Sequence, residues 1–342
     1  MNDNFGKELQ LLQLFEELRI SNTSLTPSRL KELIDYSSQI ALKFLNYKYQ
    51  SDRAKFLNLG YSFADIAVEA IVPLFIENKS TKELGIIKSL NDWQSPLETE
   101  EQLQYFVNKL VVNRVEQELI RIYKEADPFF AKIHDSIEYI IEQSGYVKKS
   151  SYGTMLIFKS ADANGEFIPA HEFDKLPDSF FFGKIKTIVQ SILKYLESET
   201  GFISAIPLNL LIKRIKHAQF SNQYINYSTV DEHPEEKIII GKIISAGLGT
   251  VYSKIDGFYK EKLSVTEKQA FKDALNEISI DLTDGGIPHE LFAYLNKQMP
   301  DLNKSDYYGK YHSIFDYLLR LMKKQIAAEM QNEGLFSNQD DN

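Results

Sequence analysis

Basic and amide side chains along one predicted helix are the residues best suited to bind a polyanion. A helical period of apolar residues continues from Thr99 to Asp127. In its second half, four polar side chains lie opposite the apolar stripe with no acid among them: Asn113, Gln117, Arg121 and Lys124. Cationic side chains neutralise phosphates, and amides bond to phosphates and base edges. We therefore predict that this face, the basic stripe, contacts nucleic acid.

A second group of basic residues lies in a segment without acids, between Gly201 and Val230. A helix predicted over 206–218 carries three cations beside His217, which are Lys213, Arg214 and Lys216. They are followed by side chains that can stack on or bond to bases, namely Phe220, Tyr224, Asn226 and Tyr227. This basic patch is a second candidate nucleic-acid surface, although a solvated helix end followed by a loop explains the same residues.

A third basic group lies in the last predicted helix and consists of Arg320, Lys323 and Lys324. Cations in the C-terminal half of a helix also complement the helix dipole. Binding of a partner and this structural role are both open for the third group.

Patterns for catalysis, metals and cofactors do not occur in the sequence. The lack of cysteine excludes thiolate catalysis, disulfides and Cys-based zinc sites, and the six histidines form no i,i+4 pair. The densest polar cluster, 171–174 (HEFD), is better explained as a solvated loop than as a site. Gly247-Leu248-Gly249 lacks the third glycine of a dinucleotide loop and favours close helix packing. We predict no catalytic residue, no metal and no cofactor.

The net charge argues against nucleic-acid binding by the protein alone. The sequence has 39 Lys and Arg against 48 Asp and Glu, a net charge of −9, and both 1–150 and 151–342 are acidic. Because a negative field repels polyanions, we expect DNA binding only together with a partner. The first residues lack the basic start and apolar run of a secretory signal. The prediction is a cytoplasmic protein without membrane contact.

Helices must position these candidate residues. Only 16 Gly and 10 Pro serve 342 residues, which is too few for a turn-dense all-β fold, and helical periods fill most of the chain. We predict a mainly α, multi-helix fold with two or three packed helical units and one small β-hairpin near 145–159. The segment 51–60 is expected to be a loop.

The predicted organisation has five parts along the chain. They are an N-terminal helical domain at 1–144, a hairpin and irregular linker at 145–182, a middle helical region at 183–264, a C-terminal helix-turn-helix-like region at 265–330, and a flexible tail at 331–342.

The segment FADIAVEAI at 63–71 places Asp65 and Glu69 one helical turn apart among apolar residues. It follows the apolar and aromatic run 40–45 and precedes the long helix that contains 106–124. In this order of helices, residues 30–127 resemble the core-binding domain of bacterial sigma factors. The resemblance implies that Asp65 and Glu69 face RNA polymerase and that the long helix faces promoter DNA. Residues 287–299 and 311–324 then look like a degenerate helix-turn-helix.

Three functions remain open at this point. The first is a sigma-factor-like transcription protein that binds RNA polymerase and promoter DNA. The second is a helical adaptor or regulator that binds another protein without contacting nucleic acid, which fits the negative charge and the 12% aromatic content. The third is an enzyme of a type that no motif identifies. The oligomeric state is left open.

Overall fold

The computed structural model describes residues 11–21, 26–78, 83–151, 154–160, 165–220, 234–283 and 286–333. Within these ranges the chain is mainly helical and has one small antiparallel sheet of three strands, which confirms the predicted fold class. The chain divides into two compact units, unit 1 at Met1–Ile122 and unit 2 at Tyr123–Asn342.

Unit 1 is built from helices. They are α1 (Leu11–Ser21), α2 (Pro27–Lys48), α3 (Arg53–Asn58), α4 (Phe63–Phe75), α5 (Gly85–Asn91) and α6 (Glu100–Ala126), the last of which continues past the division between the units. Thr26 caps α2 by accepting a hydrogen bond from the Arg29 N–H, with Pro27 at the first helical position. The segment 51–60 is not the expected loop. Phe56 is completely buried between the rings of Tyr49 and Phe63, and this burial stabilises α3.

The core of unit 1 forms where α2 packs against α4. The buried line of α2 has a residue at every fourth position, Leu33, Ser37, Ala41 and Leu45. Helix α5 begins against the end of α4, where a Cβ on Gly85 would lie 2.2 Å from the Pro73 carbonyl oxygen, so only glycine fits. Among the described helices, none is by itself long and apolar enough to cross a membrane. The bent pair Gln50–Asn58 and Phe63–Phe75 reaches that length and composition only when taken together.

Unit 2 contains the sheet and the remaining helices. Its first half has α7 (Pro128–Ser144), β1 (Val147–Ser151), β2 (Thr154–Phe158), α8 (Ala170–Phe173), α9 (Ile185–Glu199), β3 (Ala205–Pro207) and α10 (Leu208–Phe220). Its second half has α11 (Pro234–Gly257), α12 (Val265–Thr283), α13 (Leu291–Gln298), α14 (Lys304–Asp306), a π-helical segment (Tyr307–Tyr311) and α15 (His312–Asn332). The predicted hairpin pairs β1 with β2. The third strand, which the sequence did not indicate, adds to β2 with Ile157 opposite Ile206.

One hydrophobic core joins helices from both halves of unit 2. The expected hairpin and linker at 145–182 contribute to this core with five buried side chains, Ile157, Ile168, Phe173, Leu176 and Phe181. The sequence-based boundaries at 144, 182 and 264 therefore fall inside unit 2, and the structural division lies at 122 and 123. The tail predicted at 331–342 lies outside the described residues beyond Glu333.

A glycine brings α11 close to α15. A Cβ on Gly247 would lie 2.8 Å from the Ile326 Cγ1 atom, whereas a Cβ on Gly249 would meet nothing within 4 Å. The Gly-Leu-Gly sequence thus has the helix-packing role that we favour from the sequence.

Two alanine substitutions in α11 test this packing. Gly249→Ala should raise the free energy of unfolding by about 0.5–1 kcal/mol, because alanine is the better helix former. Gly247→Ala gains the same helix propensity but overpacks the contact between α11 and α15 at a cost of about 1–3 kcal/mol. The free energy of unfolding should therefore fall. Urea unfolding of both variants measures the difference. Equal stabilisation by the two alanines would contradict the close approach.

The N-terminus of α12 is tied to the π-helical segment by Glu267. Its carboxylate accepts hydrogen bonds from the Ser264 N–H at 2.6 Å, from Lys310 Nζ at 2.6 Å and from the Tyr311 hydroxyl. Burial alone would raise the pKa of the Glu267 carboxyl, but these hydrogen bonds outweigh it and lower the pKa to about 2.

The lowered pKa predicts how Glu267 stabilises the fold at different pH values. A group whose folded-state pKa is depressed stabilises the protein above its ordinary value, here 4.5, and loses that contribution as the pH falls towards 2. The stability difference between the wild-type protein and Glu267→Gln should therefore be largest at neutral pH and shrink below pH 4.5. Urea unfolding across this range measures it, with the exposed Glu261→Gln as control. A difference that does not change with pH would refute this role.

Candidate functional site

Helix α4 leaves a line of apolar side chains in water. Phe63, Ile66, Ala67, Ala70, Ile71 and Leu74 form its buried side. On the opposite side Val68, Val72 and Ile76 keep 52%, 41% and 58% of their surface exposed, and Ala64 is exposed as well. Successive residues of this line are four positions apart, so the line follows one face of the helix and its end. We call this line, together with Asp65 and Glu69, the α4 outer face.

Asp65 has a structural role at the start of this helix. Ser62 accepts a hydrogen bond from the Asp65 N–H at 3.2 Å, and the Asp65 carboxylate accepts from the Ser62 N–H at 3.0 Å, which completes a capping box. Hydrogen bonds from the Ser62 side chain and backbone lower the pKa of Asp65. Asp65 is also exposed, so its negative charge lies on the α4 outer face.

Glu69 connects α4 to α6 through Arg121. Arg121 Nη2 lies 2.8 Å from the Glu69 carboxylate, and the same guanidinium pairs with Glu118 one turn earlier on α6. Partial burial and the neighbouring Glu118 raise the pKa of Glu69, and the Arg121 charge opposes this rise. The two sequence-predicted partner residues thus lie on one exposed face. The basic residue Arg121 lies beside them with an acid on either side.

In the structure, acids lie beside the basic stripe, although the sequence pattern suggested a face free of acids. Arg121 is paired with Glu69 and Glu118, and Lys124 Nζ lies 2.6 Å from Asp135 of α7. The Gln117 side chain accepts a hydrogen bond from Arg114 at 3.1 Å. The side-chain oxygen of Asn113, Oδ1, is buried and meets no donor among the described residues. Glu69 and Asp135 lie on other helices, so the pattern of α6 alone could not indicate them. Glu118 lies three residues before Arg121 on α6 itself, a spacing that the sequence does show.

The basic patch is also divided by the fold. Of its three cations, Lys213 is exposed, Arg214 is half-buried and Lys216 is buried. Arg214 donates to the Leu176 carbonyl oxygen at 2.6 Å and to Asp178 at 2.8 Å, and its guanidinium lies over the Phe181 ring. The expectation that Arg214 and Lys216 contact phosphates alongside Lys213 is therefore not matched by their positions. The side chain of Phe220 and residues 221–233, including Tyr224, Asn226 and Tyr227, lie outside the described part of the chain.

Lys216 is buried against Asp127. It is 6% exposed, and its ammonium contacts the Asp127 carboxylate, which also caps α7 by accepting from the N–H groups of Phe129 and Phe130. Lys216 follows Ile212 by four residues on the buried face of α10, and this spacing is the signal that predicts its burial. Lys216 therefore joins α10 to the start of α7.

Part of the third basic group is bound to partners within the chain. Arg320 pairs with Asp316 at 2.7 Å, and Lys323 Nζ lies 3.4 Å from the Glu125 carbonyl oxygen. Burial lowers the pKa of Lys323 to about 8, although Asp127 and Asp316 oppose this shift. Lys324 is exposed.

Glu116 is the charged residue that the sequence analysis missed. It is 1% exposed, and its carboxylate accepts hydrogen bonds from Lys48 Nζ and from the Tyr49 hydroxyl, both at 2.8 Å. Burial raises the pKa of Glu116, and the Lys48 charge and both hydrogen bonds oppose the rise. Glu116 follows Val112 by one turn and adjoins Val115, so the helical period places it at the edge of the apolar stripe. The contact fixes the end of α2 on α6.

The polar cluster at 171–174 lies on a short turn of helix that buries Phe173 and leaves His171 and Asp174 exposed. His171 Nε2 lies 3.3 Å from the Glu172 carboxylate, which also pairs with Lys175, and the His171 side chain is 70% exposed. Among the described residues, no group of three potential metal ligands comes together.

Comparison with known proteins produced no relative: no protein-family model, curated protein or solved structure matches this chain.

The burial of Lys216 leads to a stability prediction with a neighbouring control. Lys216→Met removes the cation that contacts the buried Asp127 carboxylate and leaves the charge of Lys323 as its neighbour, so the free energy of unfolding should fall by about 3 kcal/mol. Lys213→Met removes an exposed lysine of the same helix and should change it by less than about 0.5 kcal/mol. Urea unfolding distinguishes them. Similar small losses for both variants would show that Lys216 is not paired in solution.

Proposed function

We propose that this protein is a helical adaptor or regulator that binds a partner protein through the α4 outer face. The observation that carries the proposal is the line of Val68, Val72 and Ile76 in water, on a helix whose other side is buried. Water contact with an apolar surface costs about 25 cal/mol per Å², and contiguous exposed apolar patches commonly mark interaction sites. A partner that covers this line recovers that free energy.

The charges beside the line favour a particular kind of partner. Asp65 and Glu69 are exposed on the same face, so a complementary surface has apolar residues next to Lys or Arg. An amphipathic helix with anchors at positions i, i+4 and i+7 and with basic neighbours has this chemistry. A second copy of the chain fits less well, because it would place acids opposite acids on a protein of net charge −9.

An RNA polymerase partner is the second candidate, and the exposure of both Asp65 and Glu69 favours it. The sigma-factor resemblance assigns these two residues to the polymerase contact. Promoter DNA binding has weaker support, since Arg121, Lys124, Arg214 and Lys216 are all paired with acids of this chain. These residues can contact DNA only if each cation leaves its carboxylate partner within the chain and binds a phosphate instead.

Photo-crosslinking from the α4 outer face tests the binding proposal. A benzophenone side chain placed at Val68 or Val72 in cells should capture one and the same protein, because both positions lie under the partner. The same group at Val265, which is 83% exposed in unit 2, is the matched control and should not capture it. Polymerase subunits among the captured proteins would select the second candidate, and another protein the first. Equal capture from all three positions, or none, would reject the α4 outer face.

Affinity measurements with the captured protein add a quantitative test. Val68→Lys with Val72→Lys removes apolar contact and places cations against the basic partner, so the dissociation constant should rise at least about tenfold. Val265→Lys should leave it unchanged. Isothermal titration calorimetry gives both values. An unchanged constant in the double variant, with an unchanged far-UV circular dichroism spectrum, would exclude this face.

Salt dependence separates the transcription candidate from the adaptor. If polymerase and DNA are both bound, Arg121→Glu with Lys124→Glu should weaken DNA binding by the complex, and each lost phosphate contact should lower the slope of log K against log salt by about one. The adaptor candidate predicts that neither the affinity of polymerase for DNA nor its slope changes. A fluorescence anisotropy titration of labelled promoter DNA at several salt concentrations measures this.

A further inference from the structure

A small cavity, largely open to solvent, lies at the start of α6, on a different part of unit 1 from the α4 outer face. Its volume is about 270 Å³, and its walls come from the loop after α5 and the first turns of α6: Trp93, Ser95, Pro96, Glu101, Gln102 and Tyr105. The lining is almost entirely apolar. Sites for drug-sized ligands measure about 300–1,000 Å³, so this cavity is suited to a single head group.

Two aromatic rings in this cavity are arranged to attract a cation. The centroids of Trp93 and Tyr105 are 6.3 Å apart in an edge-to-face arrangement, and Tyr105 is 61% exposed. Lys109, one turn after Tyr105, places its Nζ atom 5.2 Å from the Trp93 centroid and 5.8 Å from the Tyr105 centroid. An ammonium within about 6 Å of a ring centroid is attracted by the ring quadrupole, and Trp is the strongest partner. The ring pair therefore already holds a cation from its own chain.

The Glu101 carboxylate adds a negative charge at the cavity. Glu101 lines the cavity, and hydrogen bonds from its own backbone N–H and from the Thr99 hydroxyl lower its pKa. The segment 92–101 contains Asp92, Glu98, Glu100 and Glu101 and has no basic residue. Aromatic faces and a carboxylate around an apolar cavity together favour a positively charged ligand.

We propose that this cavity binds a trimethylammonium group. A primary ammonium carries three N–H donors that need acceptors, and apart from Glu101 the mostly apolar surface of the cavity offers few. A trimethylammonium group has no N–H, loses little hydration, and presents methyl groups to Trp93, Pro96 and Tyr105. Aromatic cages recognise quaternary ammonium ions in this way. Lys109 acts as an internal competitor, because its charge lies over the same two rings.

The only tryptophan of the chain lies in the cavity, so its fluorescence reports binding directly. Choline chloride titrated into the full-length protein, with sodium chloride exchanged to hold ionic strength constant, should change Trp93 emission with a saturable curve. The neutral isostere 3,3-dimethyl-1-butanol has the same shape without the charge and should bind at least about fivefold more weakly. Equal binding of the two compounds would overturn the cation site. So would an absence of saturable signal by both fluorescence and isothermal titration calorimetry.

Substitutions at the rim test the assignment of residues. Tyr105→Leu and Glu101→Gln alter exposed side chains and should each weaken choline binding, about fivefold for the ring. Lys109→Met should strengthen it, because the competing cation is removed. A Lys109→Met variant that binds choline more weakly would contradict the proposed competition. Far-UV circular dichroism confirms that each variant is folded.

The source of the group is decided by a second ligand. N-acetyl-trimethyllysine amide carries the same head group on a protein side chain. Tighter binding of the amino-acid derivative than of choline identifies a methylated protein as the source, and tighter binding of choline identifies a free small molecule. If neither ligand binds, the proposal is overturned.

Discussion

The packing of α4 determines which apolar side chains unit 1 leaves exposed to solvent. This helix is apolar around most of its circumference, yet α2 and the helices beside it cover only one side. The small residues Ser37 and Ala41 on α2, and Ala67 and Ala70 on α4, lie on the buried sides of the two helices and allow them to approach closely. The Ser62–Asp65 capping box fixes the start of α4, and Glu69 with Arg121 ties it to α6. The line Val68–Val72–Ile76 is what remains exposed.

The same ion pairs that organise the fold reduce its capacity to bind polyanions. The cations of the basic stripe and of the basic patch meet acids that are distant in sequence, such as Arg121 with Glu69 and Lys216 with Asp127. The net charge of −9 acts in the same direction over the whole chain. The Asp65 carboxylate on the α4 outer face and the Glu101 carboxylate beside Trp93, by contrast, are exposed to water, where they favour basic or cationic ligands. Both proposed sites follow from this distribution of charge.

Local patterns were sufficient to predict much of the fold. The helical periods and the hairpin before α8 are properties of neighbouring residues, and the structure contains them. Helix α3 depends instead on the burial of Phe56, and strand β3 on its pairing with β2, so neighbouring residues could not reveal them. For the site, the exposure of Asp65 and Glu69 agrees with their predicted position on one helix face. Arg214 pairs with Asp178, Lys216 with Asp127 and Glu116 with Lys48, and all three are tertiary contacts. Of these, only the burial of Lys216 could be predicted, from the helical period of α10.

The central claim is that the exposed valines of α4 lie under a partner in the functional complex. Methyl NMR of the full-length protein with labelled valines tests it most directly, since each side chain reports separately. Addition of the purified partner should shift or broaden the methyl signals of Val68 and Val72 and leave those of the exposed Val265 unchanged. A partner that binds with the Val68 and Val72 signals unmoved would contradict the account.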